Sequence, residues 1–159
     1  MKSFKLLFVA LVVIYATPAV GGQTAEKLDW LFVQTASSLS LEGKQLILPN
    51  EREIFGFTDR PDRMHAYLNA YQFEDLWRTG DDNFSENPPN AVLTWTSGGE
   101  IYEAEIVLND ARVSESGRSI VYNIQWEAGD PLPESGERIS LFVDMGMISD
   151  GLSRTLTLP

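Results

Sequence analysis

The sequence contains no cysteine. Neither disulfides nor thiolate chemistry can operate in it, which excludes a thiol nucleophile, a thiolate zinc site and an iron–sulfur cluster. Histidine is almost as scarce, with His65 the single one. That rules out a histidine-cluster metal site within one chain and makes any serine triad depend on His65. It stands in the run Arg63, Met64, His65, Ala66, Tyr67, and no serine has a strand-to-helix glycine elbow around it. The expectation is an ordinary surface or hydrogen-bonded histidine, and no catalytic residue is assigned. Gly98 and Gly99 are followed by neither the lysine nor the helix that a phosphate-cradling loop needs. Long apolar runs are missing too: the longest, Leu6 to Ala16, has about eleven residues, against roughly 17–25 for a membrane-spanning helix.

What the N-terminus does have is a basic start (Lys2, Lys5), that apolar run, and the small and turn-forming residues Thr17, Pro18, Ala19, Val20, Gly21 and Gly22. This is the three-part pattern of a secretory signal peptide. It predicts removal of residues 1–22, no membrane anchor, and an exported protein, periplasmic or extracellular, whose domain occupies 23–159. With Lys2 and Lys5 gone, ten basic residues face 23 acidic ones, a net charge of −13. Such a surface repels phosphate and anionic lipid, so nucleic acid is not an expected partner, while cations and basic partners suit it.

The rest reads as one mainly β domain. Tyr102, Ala104, Ile106 and Leu108 alternate with Glu103 and Glu105, and Ile120, Tyr122, Ile124 and Trp126 alternate with Ser119, Val121, Asn123 and Gln125, expected on the outer face. Ala91, Leu93 and Trp95 form a third inward set, joined to the next strand through Gly98 and Gly99. Further strands are expected at 30–33, 44–48, 53–58, 139–143 and 155–158. About eight short antiparallel strands predict a β-sandwich, or a barrel-like closure, in a single domain. One short helix is expected near 70–78: Asn69 can cap it, Gln72 completes a capping box, and Phe73, Leu76 and Trp77 form its apolar stripe.

Two loops hold the candidate site residues. Asp59, Arg60, Asp62 and Arg63 surround Pro61, where two arginines and two aspartates can pair fork to carboxylate, either as a clamp for the loop or as a ligand site. Asp81, Asn83 and Ser85 place oxygen donors at alternate positions, as a calcium loop begins. Glu86 then stands where that loop needs glycine and Val92 where it needs a bidentate glutamate, so calcium would bind irregularly or the loop is simply hydrated.

The segment Phe57, Thr58, Asp59, Arg60, Pro61, Asp62, Arg63, with the later Gly80 to Phe84 and the run Pro88, Pro89, Asn90, Ala91, resembles a family of small exported bacterial proteins of unknown function. Its members share a phenylalanine strand ending in Asp, Arg, Pro and a second arginine, and a downstream Pro-Pro-Asn-Ala. The resemblance spans nearly all of residues 23–159 and implies export and one domain, with no catalytic residue. The functional expectation is a non-catalytic binding or interaction module for a protein or glycan partner, its contact surface formed by the two loops. The alternatives are a small hydrolase using paired carboxylates and a structural component of an extracellular assembly.

Overall fold

The computed structural model describes residues 28–80 and 83–148. Its strands are β1 (Leu28–Glu42), β2 (Gln45–Pro49), β3 (Ile54–Thr58), β4 (His65–Leu68), β5 (Asn90–Ser97), β6 (Glu100–Val113), β7 (Ser119–Gly129) and β8 (Ser135–Ile148). A helix, α1 (Ala70–Glu74), runs into a 3-10 turn (Asp75–Trp77) between β4 and β5. The expected signal segment and the expected last strand at 155–158 lie outside the described residues.

All pairings are antiparallel, and of the two expected closures the barrel is the one formed. Hydrogen-bonded neighbours run β2-β7-β6-β5-β8-β1, and β1 pairs back onto β2 from Ser40↔Ile47 to Glu42↔Gln45. The length of β1 makes this possible. Fifteen residues extend over roughly 50 Å at about 3.3 Å each. One edge of β1 lies along β8, while the other carries β3 first (Trp30↔Thr58 to Val33↔Phe55) and β2 afterwards. The β3–β4 hairpin therefore stands outside the closed ring, with β4 bonded, among the described residues, to β3 alone.

The inward sets expected from alternation are largely buried: Ala91, Leu93 and Trp95 on β5, Ala104, Ile106 and Leu108 on β6, Ile120, Tyr122 and Ile124 on β7, and Ile139, Leu141 and Val143 on β8, while Tyr102 is half-buried against the core and Val121, expected outside, is buried too. Trp126 is a correction. Its expected inward place fails because the β6–β7 register shifts between Glu105 and Ile106, and at such a bulge a side chain is re-aimed. It is 49% exposed and its ring nitrogen donates to the Asp130 carbonyl.

The helix begins as its sequence dictates. The Asn69 side chain accepts from the backbone N–H of Tyr71 and Gln72, and the Gln72 side chain accepts from the Asn69 N–H. Phe73, Leu76 and Trp77 face the core. Phe73 packs 5.7 Å from the Phe32 ring and 5.3 Å from that of Trp77, whose indole N–H donates to the Leu108 carbonyl. Arg78 ties the end of this segment to β6 through Asp110, at 2.6 Å.

Candidate functional site

The site begins with an inversion in the β3–β4 hairpin. Along β3 the bulky Phe55 and Phe57 point outward, while Ile54, Gly56 and Thr58 are buried. Space decides this. Gly56 lies across from Phe32, and a Cβ added to Gly56 would stand 2.6 Å from the Phe32 ring. On β4 the inward residues are again the smaller or aliphatic Ala66 and Leu68, while His65 and Tyr67 are exposed. Four rings thus share the outer face: Phe55 lies 5.7 Å from Phe57 and 5.2 Å from Tyr67, and His65 lies 6.4 Å from Tyr67.

Directly paired residues in an antiparallel sheet share a face, so the registers extend this surface across the molecule. One row runs His65, Phe57, Leu31, Asp144, Asn90, Val107 and the next runs Tyr67, Phe55, Val33, Phe142, Val92, Glu105. Both rows cross β4, β3, β1, β8, β5 and β6. Much of their apolar surface stays open to solvent, with Tyr67 65% and Phe142 45% exposed. A third row, Thr35, Ser140, Thr94 and Glu103, is polar and bounds the strip on one side. The side chains at 31 and 33, in the strand expected at 30–33, are half-buried members of this strip.

At the β5 end the strip deepens into a groove of about 490 Å³ floored by Leu31, Val92 and Phe142, with Glu105, Glu127 and Asp144 around it. Glu105 and Glu127 are exposed, and Glu127 accepts from the Gln125 side chain at 2.7 Å. At the hairpin end a shallower depression is lined by Phe55, Phe57, Met64, His65, Tyr67 and Arg63. The cross-strand pair Leu31 and Phe57 joins the two.

The predicted loop residues border this surface. Asp59, Arg60, Asp62 and Arg63 are all exposed, and among the described residues no ion pair joins the two arginines to the two aspartates. The loop is clamped by other means. The Asp59 side chain accepts from the Arg60 N–H at 2.7 Å, the Asp59 carbonyl accepts from the Arg63 N–H, and the buried Thr58 hydroxyl accepts from the Met64 N–H at 2.9 Å. His65 meets aromatic rings, and among the described residues it has no hydrogen bond to a carboxylate.

Of the calcium candidates, Asp81 lies outside the described residues. Asn83 accepts from the Ser85 N–H and donates to the Gly80 carbonyl, and the Ser85 hydroxyl donates to the Trp77 carbonyl. Both side chains thus serve the loop that follows the helix. The two candidate loops leave the sheet at the same end: Thr58 pairs with Trp30, and Asn90 lies one row further along through Asp144 and Leu31. What they share is the strip between their strands, which is the surface that reading the loops alone misses. Its signal in the sequence was faint, because Phe55 and Phe57 look like core residues.

No family model, curated protein or solved structure matches the chain.

Among the described residues, no helix is long and apolar enough to cross a membrane.

Proposed function

We propose that the chain is a non-catalytic binding module, exported by its N-terminal segment, whose contact surface is the outer strip running from the β3–β4 hairpin to the acidic groove beside β5. The observation that carries this reading is the pair of cross-strand rows. A barrel whose interior is already filled by Phe32, Phe73, Trp77 and Tyr122 keeps a second apolar surface outside, and a contiguous exposed patch of this kind marks an interaction site. The carboxylates around its deeper end select a partner that brings apolar and cationic groups together, such as an extended peptide alternating lysine with phenylalanine.

The test is a titration with a lysine–phenylalanine peptide and its glutamate–phenylalanine counterpart. The reading expects binding of the basic peptide alone, weakened by salt because exposed charge attraction is screened beyond about 10 Å at 0.1 M, and lost on Phe142→Ser. Equal affinity for both peptides, or binding that survives Phe142→Ser, contradicts it. A glycan array run beside it covers ring stacking on Tyr67, Phe55 and Phe57.

The hydrolase alternative would draw on the same groove, since three carboxylates line it. A proton-donating acid needs an apolar, water-poor setting, and the exposure of Glu105 and Glu127 favours binding over acid catalysis. Turnover of any glycoside that is abolished by Glu105→Gln or Glu127→Gln would reverse that preference.

A further inference from the structure

The β4 edge of the sheet, unpaired among the described residues, supports a second interaction that stands independently of the strip. Thr58 donates its N–H to the Met64 carbonyl, so 58 and 64 face each other as a bonded pair, and by alternation so do 56 with 66 and 54 with 68. His65 and Tyr67 then turn their N–H and C=O groups away from β3. No other strand pairs with β4 among the described residues, and those backbone groups point outward from the sheet.

We infer that this edge pairs with β4 of a second copy of the chain, antiparallel about a two-fold axis, in the register that sets His65 opposite Tyr67 of the other copy. The backbone dictates that register. It lets the outward-facing groups of 65 and 67 in each copy satisfy those of 67 and 65 in the other, whereas pairing 65 with 65, or 67 with 67, leaves some unmet. It also places Ala66 on the axis and continues both rows across it, so that Phe57, His65, and the partner copy's tyrosine and phenylalanine lie in one line on the outer face. Charge favours the same place. The chain carries a net −11, and two such surfaces repel, but between Ile54 and Leu68 the aspartates at 59 and 62 balance the arginines at 60 and 63. A second copy can approach at this neutral hairpin without that repulsion.

The inference is tested on the purified protein by sedimentation over a wide concentration series and by cross-linking. A mass that doubles as concentration rises is expected. Tyr67→Pro, which removes an N–H directed away from β3 and leaves the β3 ladder intact, should return the protein to the monomer. Because the chain has no cysteine of its own, Ala66→Cys, on the two-fold axis, should form a disulfide-linked dimer under oxidation even though that side chain is buried in the single copy, whereas Ile101→Cys, on a far more exposed hairpin elsewhere, should not. A monomer at every concentration overturns the inference, as does a dimer indifferent to Tyr67→Pro or cross-linking no greater at 66 than at 101. Should Tyr67→Pro fail to fold, the wild-type mass and the cysteine pair still decide. A wild-type protein that stays monomeric yet binds the peptide would remove this inference alone, and a wild-type dimer that binds no peptide would remove the strip as a binding surface alone.

Discussion

Phe55 and Phe57 stand outside because Gly56 leaves Phe32 room inside, and that single methyl-sized vacancy sets which face of the hairpin the aromatics occupy. Gly56→Ala should therefore cost about 1–3 kcal/mol, the range for overpacking a filled core, as read from the shift in a urea unfolding midpoint. Tyr67→Ser, on the open face, should change stability by less than about 0.5 kcal/mol. Comparable losses at both positions would contradict the assignment of faces. Tyr122 provides a second check. It is buried, donates to the Gln34 side chain, and burial holds its phenol well above the usual value of 10.0. An unfolded tyrosine releases its proton near pH 10. Above that pH the unfolded chain has lost a proton that the folded one keeps, so stability is complete below pH 10 and declines as pH rises beyond it. A spectrophotometric titration should show one phenol ionising only as the protein unfolds, and Tyr122→Phe should delete that step.

Elements whose reasons are local were legible in the sequence. The helix start needs only Asn69, Gln72 and the stripe after them, and the structure carries that capping box. Asn69→Ala should cost about 1 kcal/mol by thermal or chemical unfolding, since Tyr71 and Gln72 both lose the acceptor of their N–H groups. The strands from β5 to β8 were equally readable, because large apolar and polar residues alternate along them. β4 was not. Its period-two pattern covers four residues, and it inverts the usual rule by putting Ala66 inside and Tyr67 outside. The sidedness of β3 was hidden for a related reason: nothing within Ile54–Thr58 says that Phe32, more than twenty positions earlier, fills the space over Gly56. Trp126 shows a third limit, since one extra residue at a bulge re-aims a side chain that alternation assigns to the core. The loop at 59–63 is held by hydrogen bonds of Thr58 and Asp59 and not by the arginine–aspartate pairs that its sequence suggests.

At the scale of the molecule, closure of six strands depends on β1 serving β3 with one half and β2 with the other, a non-local choice that strand spacing cannot reveal. Closure also fixes the functional geometry. It buries one face of the six ring strands in a filled interior, and the β3–β4 hairpin extends the outer face, so that β4, β3, β1, β8, β5 and β6 share a surface where residues far apart in sequence line up in rows. An acidic chain with such a face has an apolar surface for contact and a charge pattern for choosing its partner. The most direct measurement is residue-resolved nuclear magnetic resonance of the labelled protein during titration with the lysine–phenylalanine peptide. The account predicts shift changes concentrated at Leu31, Val33, Phe55, Val92, Glu105 and Phe142, with the polar row of Thr35, Thr94 and Ser140 marking their limit. Changes centred on Asn83 to Asn87 or spread over the barrel, or none at all, would contradict it.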